Sequence, residues 1–302
     1  MTKFIHIHSI SEVNQMFGFP KPTHPLITII RTWPHVDSQA ESIKITSELY
    51  ILSMKGKLDA TAFQYGRNSY DFEEGTLVFL APHQVMSFED SVQELNDSGW
   101  TILFHPDLIR KSELGRKIKE YSFFDYDINN ALHISEHEKE TLRQLVDHID
   151  LELQRNIDRH SQDLIIANLE TILKYCLRYY ERQFYTRTNQ NKDIIIRFEE
   201  YLKTYFNSED ILNNGMPTLA QCGKALNMSG SYLSDLLRIE TGRSAKDHIH
   251  AYVIEKAKTR LLSSNASVSE VAYELGFEYP QHFSKLFKAK TGYNPTDFRN
   301  VN

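Results

Sequence analysis

The stretch Glu274–Arg299, ELGFEYPQHFSKLFKAKTGYNPTDFR, carries the outline of a helix-turn-helix. It reads as the end of one helix, a turn at Gly276, a second helix opened by Pro280, and a stop at Gly292 and Pro295. Proline suits the first turn of a helix, where its missing N–H leaves no bond unmade. Phe283, Leu286 and Phe287 recur at the spacing of one helix face, leaving Gln281, His282 and Lys285 on the other. A helix with one packing face and one polar face is what a reader of DNA base edges requires.

The pattern occurs twice. In residues 218–249, Leu219, Cys222-Gly223 and Leu226 are followed by NMS, Leu233, Leu236-Leu237, Arg238 and Thr241-Gly242. In residues 267–299, Val268, Val271-Ala272 and Leu275 are followed by GFE, Phe283, Leu286-Phe287, Lys288 and Thr291-Gly292. Gly223 and Ala272 supply the small residue that lets the second helix cross closely, and Asn227 and Gly276 both tolerate the positive φ of a tight turn. Between the copies, Ile249, Tyr252, Val253, Ala257 and Leu261 form the stripe of a connecting helix expected over Ala245–Ser263. Such a helix spans about 28 Å, close to one DNA turn of roughly 34 Å. One such motif is weak evidence; two on a rigid spacer are strong.

The composition bounds the rest. The 302 residues suffice for two or three domains. The N-terminus shows no apolar run with a cleavage site, and no stretch is apolar for long enough to span a membrane. Only Cys176 and Cys222 occur, each in an expected helix, which argues against a disulfide framework or a cysteine-based zinc site and leads one to expect a reducing cytoplasm. The net charge is −6, with 34 Lys+Arg against 40 Asp+Glu. From Gly215 onward there are 11 Lys+Arg and 8 Asp+Glu, so the tail carries +3 and residues 1–214 carry −9. DNA feels charge within about 8 Å at physiological salt, so the basic tail matters more than the acidic total.

Upstream, LITIIR, IKITSELYILSM, TLVFL and WTILF are short β-branched or aromatic runs separated by Gly56, Gly66, Gly75, Pro82 and Gly99. This is the pattern of a small antiparallel sandwich or barrel. Ser135 and Glu138 then form a capping-box pair. Leu142, Leu145, Val146, Ile149 and Leu153 make one helical stripe, and Leu164, Ile165, Leu169, Ile172, Leu173, Cys176 and Tyr180 a second. The polar TRTNQN, residues 186–191, reads as a linker, Asp193–Phe206 as a helix, and NSEDILNNGMP as a loop.

Over residues 200–302 the sequence resembles the AraC/XylS family of transcription regulators. VAYELGFEYPQHFSKLFKAKTGYNPTDFR is similar to that family's second helix-turn-helix, with the approximate pattern I-A-x-x-x-G-F-x-x-x-x-x-F-x-x-x-F-K-x-x-x-G-x-x-P-x-x-[FY]-R, and LNMSGSYLSDLLRIETG resembles its first. More loosely, YGRNSYDFEEGTLVFLAPHQVMSF looks like the cupin-type sensing domain many members carry. The resemblance implies a multidomain α+β chain. A cupin-like antiparallel β-barrel or jelly roll (1–130) would sense an effector, and a helical hairpin (131–187) would dimerise through stripes such as Leu169 and Ile172. A linker (188–191) would lead to an all-α DNA-binding domain (192–302) with helix-turn-helix motifs at about 218–242 and 267–292. Double-stranded DNA, a small-molecule effector, a second copy of the chain and, for an activator, RNA polymerase are the implied partners, with no membrane and no cofactor.

By position, the first recognition helix offers Ser231, Tyr232, Ser234, Asp235 and Arg238 to DNA, and the second Tyr279, Gln281, His282, Lys285 and Lys288. Gln281 suits a bidentate pair with adenine and Lys285 a guanine or a phosphate. Lys288, Lys290, Lys246 and Arg299 suit the DNA backbone, whereas GYNPTDFR as a whole reads as a structural stop. Two positions depart from the family: Gly223 stands where alanine is usual, loosening its helix by about 1 kcal/mol, and Asp235 repels phosphate but can accept from cytosine N4.

No P-loop, nucleophile elbow or paired-carboxylate motif is present, so an enzyme is not expected. His6 and His8 form an H-x-H, but they precede the expected strands and lie outside cupin metal spacing. No histidine falls around YGRNSYDFEEG, so the histidines read as surface or packing residues and no metal site is expected. The competing readings are a constitutive regulator whose N-terminal domain is only a scaffold, and a cupin-type metal enzyme with an accessory DNA-binding domain.

Overall fold

The computed structural model describes residues 3–32, 43–55, 75–88, 99–126, 131–155, 158, 160–186 and 188–301. Two units are present, Met1–Gln183 and Phe184–Asn302.

The first unit contains β1 (Lys3–Ile7), α1 (Ile10–Met16), β2 (Ile27–Ile30), β3 (Ile43–Ser47), β4 (Tyr50–Lys55), β5 (Thr76–Leu80), β6 (Val85–Phe88), β7 (Trp100–Phe104), α2 (Pro106–Ile109), α3 (Glu113–Lys117), β8 (Leu132–His133) and α4 (Glu136–Leu153). It also holds α5 (Ser161–Thr186) as far as Gln183. The strands form two sheets, ordered β1-β3-β6 and β2-β7-β4-β5-β8. The larger is antiparallel throughout, as the short strands and turns led one to expect, whereas β1 and β3 of the smaller pair in parallel. Ile7 and Ile45 of the smaller sheet share a core cluster with Ile30, Ile51, Leu80 and Leu103 of the larger. All five residues of WTILF are buried because β7 is flanked by β2 and β4, which is why it reads as a continuous apolar run. The segment Tyr65–Glu74, on which the cupin likeness partly rests, lies outside the described residues.

The expected boundary at residue 130 is not a structural one. β8 completes the larger sheet by pairing with β5, and Tyr180 of α5 lies against Phe79 of β5, their ring centroids 5.9 Å apart. Arg31, just after β2, donates to Asp147 (2.6 Å) and Asp150 (3.3 Å) of α4. Ser135 and Glu138 do make the capping box. Leu169 and Ile172, expected at a dimer seam, are fully buried within the single chain and belong to its own core, while Leu164 is exposed. The stripe was real; its partner is the sheet-bearing unit itself.

The second unit contains α6 (Thr188–Tyr205), α7 (Asp210–Asn214), α8 (Leu219–Ala225), α9 (Gly230–Thr241), α10 (Ala245–Ser263), α11 (Val268–Glu274), α12 (Pro280–Thr291) and α13 (Pro295–Val301). The expected linker 188–191 is helical instead. Its Asn191 is buried and donates to Phe184 O (2.7 Å) and Glu240 Oε1 (2.6 Å), so what looked like a solvated spacer is a packed polar residue. NSEDILNNGMP is also not simply a loop: α7 forms within it and buries Ile211 in the core.

The two helix pairs α8/α9 and α11/α12 are built alike. Thr218 with Gln221 and Ser267 with Glu270 form capping boxes at the two first helices. Asn227 (φ 59°) and Gly276 (φ 79°) make the turns in the left-handed region, and Gly242 and Gly292 close the second helices. Gly276 is held doubly, because a Cβ there would lie 2.7 Å from Ile211 Cδ1. The α10 helix occupies the residues expected of it, 19 in all, and buries Ala245, Ile249, Val253, Ile254, Ala257 and Leu261.

Gly223 is not the loosening defect that its helical position suggested. A Cβ there would lie 2.5 Å from Met228 O and 2.6 Å from Gly230 N, backbone atoms of the turn and of the start of α9. Overpacking of this kind costs about 1–3 kcal/mol, more than the roughly 1 kcal/mol that alanine gains over glycine in a helix. Gly223→Ala is therefore expected to lower stability by roughly 1–2 kcal/mol in urea denaturation of the full chain, the reverse of the usual helical Gly→Ala result. Unchanged or raised stability would show that α8 and α9 pack less closely.

Candidate nucleic-acid interface

Each polar face depends on what its helix packs against. On α9, Leu233, Leu236 and Leu237 are fully buried. Tyr232 and Ser234 are buried as well, contrary to the expectation that they face DNA. The Tyr232 ring lies 4.9 Å from Phe184, and Ser234 Oγ accepts from the Ala245 N–H at the start of α10 (3.4 Å). Both are structural. What α9 offers outward is Ser231 and Asp235, each partly exposed, together with Arg238. Arg238 Nη1 lies 3.1 Å from Asp235 Oδ1, so this pair cancels most of the local charge.

The α12 face is more open. Phe283 and Phe287 are fully buried, their tilted rings 5.6 Å apart, and Phe277 meets Phe283 edge-on at 5.3 Å. Tyr279, Gln281, His282, Lys285 and Lys288 are all exposed, as expected. Tyr279 is the N-cap residue, Pro280 opens the helix, and the His282 ring meets Tyr279 edge-on at 5.4 Å. A hydrogen bond to Glu278 pushes the Tyr279 hydroxyl pKa up, so it stays a neutral donor. Among the described residues Lys285 and Lys288 make no ion pair. Lys290, expected on the DNA backbone, instead reaches Asp247 (3.2 Å). Hydrogen bonds from Ser244 and Lys290 hold the Asp247 carboxyl below its ordinary value.

Two charged groups brace the frame. Arg260 of α10 grips Glu274 of α11 through two bonds, 2.7 and 3.0 Å, which lower the Glu274 pKa. Arg299 donates to Leu261 O (2.9 Å) and Ala266 O (2.7 Å), and so is a structural tie instead of a phosphate contact. Phe298 packs on Phe287 at 5.4 Å, so the GYNPTDFR stretch is the stop and plug that it resembled. The elements thus present two polar helix faces, one nearly neutral and one basic, joined through α10.

A family model described as a helix-turn-helix domain matches residues 222–300, from within α8 to within α13. The chain is similar to an uncharacterised HTH-type transcriptional regulator, YfiF of Bacillus subtilis (strain 168). The two are 28% identical over 142 residues, 47% of this chain and 41% of that one. The xylose operon regulatory protein of Escherichia coli (strain K12) is 32% identical over 78 residues, 26% of this chain and 20% of that protein. Among solved structures, the C-terminal domain of AraT, a response regulator from Geobacillus stearothermophilus, is 29% identical. It covers 36% of this chain and 85% of that one, with a TM-score of 0.32. The matched part spans less than half the length of these curated relatives. The C-terminal unit thus carries a DNA-binding helix-turn-helix domain of the AraC/XylS type, found in transcription regulators. No helix among the described residues is long and apolar enough to cross a membrane.

The exposed α12 side chains make distinct forecasts. Gln281→Ala should cost about 1–3 kcal/mol on a specific duplex and relax preference at one base pair. Lys288→Ala should weaken all duplexes alike and reduce the salt slope by about 1. Fluorescence anisotropy at several salt concentrations separates the two, and identical behaviour of both variants would remove Gln281 as a base reader.

Proposed function

We propose that this protein is a sequence-specific transcription regulator in which both helix pairs act as helix-turn-helix motifs. The carrying observation is the duplicated pair, with matched caps and turns, joined by the 19-residue α10. At 1.5 Å per residue α10 is about 28 Å long, which supports α9 and α12 entering successive major grooves on one face of the duplex. Ser231, Asp235 and Arg238 meet one groove, and Tyr279, Gln281, His282 and Lys285 the next, with Lys288 on the backbone. Given its greater exposure, with Lys285 and Lys288 in no ion pair among the described residues, α12 carries more of the affinity. The proposal extends to a small-molecule effector bound in the N-terminal unit, which would bias the stance of the protein on its sites. It extends also to a homodimer whose seam lies outside the Leu169 and Ile172 core, to contact with RNA polymerase at an activated promoter, and to a cytoplasmic location.

Selection of the full chain against a random duplex pool tests the reading. Bipartite sites with two recognition elements about 10–10.5 bp apart are expected. Failure to enrich any sequence over random DNA at moderate salt would sink the proposal.

A further inference from the structure

The first unit gathers histidines that the DNA-binding reading leaves without a task. In β1, His6 pairs in register with Thr46 of β3, and Ile7 with Ser47. Alternate residues of a strand share a face. Ile7, Ile45 and Ser47 are buried, so His6 and Thr46 point the other way. The same alternation carries His8 and Glu48, just beyond the strand ends, to that outer face, and Glu48 N donates to Ile7 O at 2.9 Å. Glu48 Oε1 then lies 2.9 Å from His8 Nδ1 and 3.5 Å from His6 Nε2, and the ligand atoms of all three residues fall within 4.8 Å of one another.

We infer that His6, His8 and Glu48 form a binding site for a borderline divalent cation, with Zn2+ as the representative ion. Two imidazoles and a carboxylate are a donor set that Zn2+ takes, with bonds of about 2.0–2.2 Å and tetrahedral edges near 3.3 Å. The separations from Glu48 bracket that edge, and small side-chain rotations bring the three donors onto one ion. The set leaves a further coordination position for water or an exogenous ligand.

The surroundings orient the donors as metal ligands are oriented. The His6 Nδ1 bonds to Thr46 Oγ1 at 2.6 Å, which commits that nitrogen and leaves Nε2 facing Glu48. His105 Nδ1 accepts from the Asp107 N–H, so in the neutral ring Nε2 carries the proton, and it lies 3.9 Å from Glu48 Oε2. That distance is too long for a hydrogen bond, so His105 lines the cluster beside the carboxylate oxygen that the ion does not take. His83 supplies an independent observation. It adopts φ 69°, its N–H donates to Ser47 O at 2.7 Å, and its ring stacks parallel on His6 with centroids 6.3 Å apart. Left-handed backbone at a residue other than glycine is uncommon, and such positions collect at functional sites. Thus four histidines and a glutamate, drawn from four separated segments, meet at one edge of the smaller sheet.

The site stands apart from the DNA-binding proposal, and either can fail alone. The test uses tag-free, chelator-treated full chain titrated with Zn2+ against a chromophoric competitor. One equivalent is expected to bind. His6→Asn, His8→Asn and Glu48→Gln should each weaken binding by at least about 10-fold, and Thr46→Val by about 10-fold through loss of ring orientation. His137→Asn, far along the sequence on α4, serves as the control and should bind as the wild type does. Absence of Zn2+ uptake by the wild type, or undiminished uptake by the His6→Asn/His8→Asn/Glu48→Gln triple variant, overturns the inference. Co2+ loading of the wild type gives a readout that needs no variant. Intense d–d bands of a four- or five-coordinate site support the assignment, and the weak spectrum of octahedral Co2+ contradicts it.

Discussion

The burial of α10 is the constraint on which the C-terminal unit depends. Ala245, Ile249, Val253, Ile254, Ala257 and Leu261 are all inside the core, and the helix touches α9, α11, α12 and α13. Neither helix pair could bury its apolar face alone, since each first helix is only seven residues long. Both close against α10, which serves as core and spacer at once. Arg260 and Arg299 fasten its C-terminal end, through Glu274 and through the carbonyls of Leu261 and Ala266. Loss of this helix would remove the shared core and the fixed separation of the polar faces together.

Because α10 fixes separation, the remaining variation between the pairs is chemical. The first pair approaches so closely that Gly223 has no room for a Cβ, whereas Ala272 fills the same place in the second. On α9 Asp235 and Arg238 neutralise each other in an internal ion pair; α12 keeps Lys285 and Lys288 exposed. The two faces differ accordingly: in the proposed reading α9 supplies selective polar contacts and α12 adds phosphate attraction. In that reading the acidic excess of residues 1–214 is expected to oppose nonspecific capture by DNA and leave more weight on those contacts.

Local chemistry made much of this legible. The capping box of Ser135 and Glu138, the turns at Asn227 and Gly276, and the limits of α10 follow from rules that act within a few residues. The errors arose where a distant segment decides. Tyr232 and Ser234 occupy outward positions relative to the pair alone, but Phe184 and the start of α10 cover them. Asn191 looked like linker because its partners, Phe184 and Glu240, cannot be read from its neighbours. Leu169 and Ile172 showed a true stripe, yet periodicity says that a face is buried and not what buries it. His6 and His8 were visible as an H-x-H; their meeting with Glu48 required the parallel register of β1 and β3, which no local pattern encodes.

Hydroxyl-radical footprinting of the full chain on a tightly bound duplex tests the central claim, that α10 holds two DNA-reading helices at a fixed spacing. Two protected patches on one face of the duplex, about 10–10.5 bp apart, are predicted. A single patch, or two patches offset by half a turn onto opposite faces, would contradict it.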